Sequence, residues 1–161
     1  MNLLNFYLQG ERYGVDLADV DEVLNMAALK PLPGAPDFVA GVLNLRGDLL
    51  PVVDLVRRLG VERDAPPEDT AADGSPLAPY RASTRLLVVT ADDRRFAVIV
   101  DGIEGIQASA PDRFRARVMD GNEVLPFLGD VGLDADGMVQ LIRIRKILGP
   151  EEFGLLSSAH G

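Results

Sequence analysis

Arg46 is the residue whose chemistry most needs an account. It stands with Asn44 inside GVLNLRGDLLPVVDL, residues 41–55, a stretch otherwise apolar apart from its glycines and two aspartates. An unpaired guanidinium is costly to bury. Its planar fork can instead donate two parallel hydrogen bonds to a carboxylate, which suits it to hold or recognise an acid. At strand spacing Val42, Asn44 and Arg46 share one face while Leu43 and Leu45 share the other, so Arg46 need not enter the core that the leucines form. Glu22 is the best candidate partner. Two alternatives stand beside this pairing. Glu22 follows Asp19 by three residues and can complete a capping-box-like arrangement, and Arg46 can reach water over apolar surface from a hairpin end.

Other catalytic chemistry finds few residues. The single histidine is His160, next to last, and there are no cysteines, which removes the usual general base, thiolate metal sites and disulfides. GVLNLRG lacks the Lys-Ser/Thr of a phosphate loop. Reading GDVGLDADG as a calcium loop, with Asp134, Asp136 and Gly137 at its third, fifth and sixth positions, puts Gly132 at the first ligand position and Arg143 at the last; both ends fail. A hairpin turn is the better reading. The acid pairs Asp92/Asp93 and Glu151/Glu152 read as solvated turn and helix-start residues. Arg113, Arg115 and Arg117 alternate as on a solvent face paired with acids rather than a phosphate patch.

These residues belong to a chain of 161, enough for one domain with a sizeable core, and 47% of it is hydrophobic. Net charge is −9, from 25 acids and 16 bases, the wrong sign for a nucleic-acid binder. The aromatic residues, six Phe, three Tyr and no Trp, offer no evident stacking face. A small-barrel nucleic-acid module and a small enzyme or ligand sensor are therefore the weaker function classes. No export signal is visible before Arg12 and no apolar run approaches the roughly 20 residues of a membrane helix. The expectation is a cytoplasmic protein with protein partners or small cationic ligands.

Alternation of Leu4, Phe6 and Leu8, then of Tyr13, Val15 and Leu17, predicts a hairpin turning at Gly10-Glu11. Asp19 caps a predicted helix through DVDEVLNM, with Val20, Val23, Leu24 and Ala27 at helical spacing. KPLPGAP is a stiff loop. VAGVLNLR and DLLPVVD are strand-like runs around Gly47-Asp48, and DLVRRLG is a short helix capped by Asp54 and stopped by Gly60. Residues 61–84, rich in prolines, acids and alanines, read as a mobile surface loop. RLLVVTADDRRFAVIVDGIEGI forms a second strong hairpin at Asp92-Asp93, DRFRARV has strand spacing, and EVLPFLGDVGLDADGMVQLIRI adds short strands. RKILGPEEFGLL reads as a short helix stopped at Gly149-Pro150, with a disordered tail SSAHG. Many short strands point to a barrel or sandwich, and the two large hairpins hint at two similar halves.

In this order, FYLQGERYGVDLADVDEVL, LPGAPDFVAGVLNLRGDLLPVVDL, LLVVTADDRRFAVIVDGIEGI and MVQLIRIRKILG resemble the CheW and CheW-like domain family of chemotaxis adaptors. The resemblance spans nearly everything outside 61–84 and the tail. GVLNLRG…LPVVDL followed by VIVDGI at this separation is its specific part.

The resemblance implies a mainly β fold of two small five-stranded SH3-like β-barrels packed through a hydrophobic interface, with a few short helices. It implies one such domain over residues 1–150, a C-terminal tail over 151–161, no catalysis and no cofactor. The implied role is a scaffold joining the cytoplasmic tip of a methyl-accepting chemoreceptor to the regulatory domain of a CheA-type histidine kinase. Val20, Glu22, Gly41 and Arg46, with Asn44 and Gly47 beside Arg46, fall where the family places receptor-coupling or supporting residues. Ile103 and Ile106 fall near the groove between barrels. Two departures stand out: a long, acidic, proline-rich 61–84, and Arg143 and Arg145 where relatives commonly show Leu and Asp types. They open the alternative of a paralogue serving a pilus-motility or other chemosensory-like pathway.

Overall fold

The computed structural model describes residues 2–63, 69–108, 114–115, 125–134 and 137–160. Arg113, Arg117 and Asp136 lie outside them, as does part of 61–84.

The first hairpin pairs β1 (Asn2–Leu8) with β2 (Glu11–Asp16). Its turn is Gln9-Gly10, one residue earlier than expected. Both turn residues take positive φ, 52° and 79°, which matches the strand twist in a two-residue connection. Asp16 then accepts from the Ala18 amide at 3.0 Å and caps a one-turn 3-10 helix, Leu17–Asp19. The helix expected through DVDEVLNM does not form. β3 (Glu22–Asn25) stands there and pairs with β6 (Arg85–Ala91), Glu22 opposite Val88 and Asn25 opposite Arg85. Four apolar residues in so short a window fit either element, and the ladder on β6 decides between them.

β4 (Val39–Leu45) and β5 (Asp48–Asp54) follow, joined by the turn Arg46-Gly47 rather than Gly47-Asp48. The short helix α1 (Leu55–Arg58) is capped by Asp54 as the sequence implies, its carboxylate accepting from the Val56 amide at 3.1 Å. Residues 61–84 are more than a surface loop, because they bury Leu77, Tyr80 and Thr84. Composition averages over the segment and hides these three. β7 (Arg94–Val100) completes the hairpin at Asp92-Asp93, and β8 (Gly102–Ala108), the two-residue β9 (Phe114–Arg115), β10 (Leu128–Asp134) and β11 (Gly137–Ile142) follow.

At the end of the chain, Ile144–Lys146 is a 3-10 turn, and helix α2 (Pro150–His160) begins at the proline expected to stop one. Proline lacks only an amide that the first helical turn leaves unpaired, so it starts helices well. α2 takes in Ser157–His160 of the segment read as a disordered tail, and it buries Leu156.

The strands form two sheets. One has the order β8-β1-β2-β11-β10-β9, the other β3-β6-β7-β5-β4. Leaving out the two-residue β9, each has five strands in the same arrangement: an edge strand, a hairpin, then a second hairpin joined to the first by a parallel pair, β2 with β11 and β5 with β7. The hairpins β1-β2 and β6-β7 occupy equivalent places, so the two similar halves are real. The chain leaves the first sheet after β2, builds the second, and returns at β8.

Phe6, Leu8 and Val15 of the first sheet pack with Val53, Val89, Phe96 and Val98 of the second, joined by Phe127, Ile144 and Ile147. Leu43, Leu45, Leu50, Val52, Leu86 and Ile99 form another cluster within the second half, closed by Leu77 and Tyr80. Each such side chain contributes about 1.5–3 kcal/mol when fully buried.

Candidate functional site

Arg46 and Gly47 are the two central residues of the β4-β5 turn, with φ of 51° and 91°. Positive φ is uncommon for a residue with a Cβ. The turn is fixed from below by Asn44, whose side-chain oxygen accepts from the Gly47 amide at 3.0 Å. Arg46 is therefore lifted off the strand face assigned to it with Val42, which is itself buried. Leu43 and Leu45 do enter the core.

The lifted guanidinium meets Glu22 on β3. Nη1 donates to Oε1 at 3.2 Å and Nη2 to Oε2 at 2.7 Å, a two-pronged pair. The hydrogen bond from Arg46 holds the Glu22 carboxyl below its ordinary range, and the charges of Arg46 and Arg95 add to this. Two further contacts lie alongside, Arg95 with Asp48 at 3.1 Å and the Thr90 hydroxyl donating to Asp21 at 2.6 Å. The Arg46 side chain is 67% exposed and that of Glu22 33%. Exposed pairs add little to stability; what this one does is orient an accessible charge.

Gly41, on the same strand as Asn44, has φ of 150°, and a Cβ there would lie 2.5 Å from the Lys30 carbonyl oxygen. It lets the proline loop bond to β4 through Lys30 and Val42. Val20 closes the 3-10 turn just before β3 and is half-buried against the inter-sheet core. Ile103 and Ile106 lie on β8 in the other sheet. Ile103 packs against the core, whereas Ile106 is 65% exposed. The turn, Glu22 and Asn44 thus form one cluster; Gly41 lies against the proline loop, Val20 packs on the inter-sheet core, and the two isoleucines lie on the other sheet. Among the described residues no group of three or more His, Cys, Asp or Glu side chains could hold a metal ion, and no helix is long and apolar enough to cross a membrane.

A second cluster was not anticipated. Asp54, fully buried, accepts from Arg63 at 2.6 and 2.8 Å and from the Tyr80 hydroxyl at 2.9 Å, besides capping α1. Burial first, then the Asp54 carboxylate, pushes the Tyr80 phenol above its ordinary range. The available signal was Asp54 itself: a carboxylate ending the apolar run PVVD must find donors.

The family model for the CheW-like domain matches residues 2–152. This chain belongs to the CheW-like domain family. The chemotaxis protein CheW of Klebsiella aerogenes is 28% identical over 159 residues, covering 96% of this chain and 86% of that protein. Protein PilI of Pseudomonas aeruginosa is 34% identical over 111 residues, covering 69% of this chain and 54% of that protein. In fold, the crystal structure of the scaffolding protein TtCheW from Thermoanaerobacter tengcongensis matches with a TM-score of 0.74 at 22% identity, over 94% of this chain and 89% of that one. The CheW-like assignment covers both sheets, and the Arg46 turn lies within it.

Proposed function

We propose that this chain is a non-catalytic adaptor that couples the cytoplasmic tip of a chemoreceptor to a CheA-type histidine kinase in chemotaxis signal transduction. The observation that carries the reading is the Arg46 turn, held exposed by Glu22 and Asn44 in a chain of the CheW-like family. Val23 and Leu49, 43% and 58% exposed, add apolar area near it. Apolar contact with a charged rim is how a protein surface binds and orients a partner helix. Val20, Gly41 and Gly47 support the turn in this reading, and Ile103 and Ile106 serve a separate contact on β8.

The test is co-elution of the purified chain with the cognate receptor tip and the kinase regulatory domain, each alone and both together. A ternary complex that Arg46→Glu weakens supports the adaptor role. Binding to neither, or salt-sensitive binding of an oligonucleotide instead, overturns it. The match to PilI favours a second reading, a paralogue serving a pilus-motility or other chemosensory-like pathway. Repeating the co-elution with receptor tips and kinase domains from each pathway separates the two.

A further inference from the structure

Arg63 joins carboxylates that belong to different parts of the fold. Its Nε and Nη2 donate to Asp54, which ends β5 in the second sheet, and its Nη1 donates to Asp101 Oδ1 at 2.8 Å. Asp101 is the single residue between β7 of the second sheet and β8 of the first. Its other oxygen accepts from the Gln9 amide at 2.7 Å, in the β1-β2 turn of the first sheet. The guanidinium lies over the Tyr80 ring, 4.9 Å from its centroid, and its side chain is only 10% exposed.

We infer that Arg63 is a clasp that fixes the angle between the two sheets at the point where the chain crosses from one to the other. The apolar core draws the sheets together, but hydrophobic burial is non-directional. A guanidinium fork bound to carboxylates is directional and tolerates little rotation. A one-residue crossover has no slack, so moving Asp101 moves β8, and with it β1. Burial works against the charge on Arg63, yet the hydrogen bonds and charges of Asp54 and Asp101 outweigh it and hold the guanidinium above its ordinary range. Arg63 acts as a positioning residue that sets where Ile106 on β8 stands relative to the Arg46 turn. The inference does not depend on the identity of any partner.

The chain has no cysteine, so two introduced ones can be spin-labelled without background. Leu49→Cys on β5 and Met138→Cys on β11 replace exposed side chains, one on each sheet. Their distance distribution by pulsed electron spin resonance is compared among the labelled parent, Arg63→Met, Asp101→Ala and Arg12→Met. The last breaks an ion pair between two strands of the first sheet, Arg12 on β2 with Glu104 on β8. The clasp predicts a broadened, shifted distribution for Arg63→Met and Asp101→Ala and an unchanged one for Arg12→Met. Asp101→Ala leaves Asp54, Arg63 and Tyr80 together, so it decides the matter alone if Arg63→Met does not fold. A parent-like distribution in Asp101→Ala overturns the clasp, and so does equal broadening in Arg12→Met.

Discussion

Arg46 and Glu22, 24 residues apart in the chain, meet through two hydrogen bonds at the exposed end of the second sheet. Neither side chain is buried. Reversing the charge should therefore change binding far more than folding. Arg46→Glu is expected to lose co-elution with receptor tip or kinase domain while its thermal melt stays near that of the parent. Adding Glu22→Arg should restore part of the binding. A fully active Arg46→Glu protein would sink the role given to the pair.

The same pair makes a prediction about pH. The Glu22 carboxyl is depressed in the folded state by Arg46, so its contribution is complete above the ordinary carboxylate range and fades as pH falls through the lowered value. A carbon-13 titration of the Glu22 carboxyl should show its midpoint below that of a free glutamate. In Arg46→Ala the midpoint should move up toward the ordinary range; no movement would mean that the ion pair is absent in solution.

Asp54 is fully buried with Arg63 and Tyr80 as donors. Asp54→Ala takes two of the three carboxylate hydrogen bonds from a buried guanidinium, leaving it only Asp101, and should cost about 3–5 kcal/mol. Tyr80→Phe removes one neutral donor and should cost about 1 kcal/mol. Urea unfolding of the two variants side by side checks the ratio, and equal costs would contradict the network.

Gly41 has no room for a side chain, because Lys30 O and the Leu29 Cβ crowd the place a methyl would take. Gly41→Ala should destabilise by about 1–3 kcal/mol, through strain and loss of the Lys30–Val42 bonding. Faster hydrogen exchange at the Val42 amide in the variant would locate the damage; an unchanged melt would show that the loop simply moves aside.

Much of this was legible in the sequence. The first hairpin shows in the alternation of Leu4, Phe6 and Leu8 and the later ones in apolar runs broken by short polar turns, and Arg46 could be matched to Glu22 because a guanidinium fork suits a carboxylate. The segment Val20–Ala27 departs from the helix its spacing predicts because four apolar residues at that spacing also suit a half-buried strand, and the partner that decides, β6, lies far along the chain, Glu22 opposite Val88. Turn positions slipped by one residue at Gly10 and Gly47, where a glycine marks a turn but does not say which of its places it fills. Arg63 and Tyr80 were invisible for another reason. A segment of loop-like composition gives no sign that one cation and one phenol in it answer a buried aspartate in a strand nearby.

The return of the chain to its first sheet also sets an order of events during synthesis. β1 emerges first but pairs with β8, as the Asn5–Gln107 hydrogen bond across 102 residues shows. β3 to β7 are contiguous and can assemble as soon as they leave the ribosome. The opening hairpin finds part of its cover in Val53, Val89, Phe96 and Val98 of the second half, but its sheet neighbours β8 and β11, and Phe127, Ile144 and Ile147 over its core, come only later in the chain. A nascent chain stalled before β8 would hold a complete second sheet and a hairpin with both edges unpaired and its core partly open, the form that chaperones and proteases recognise.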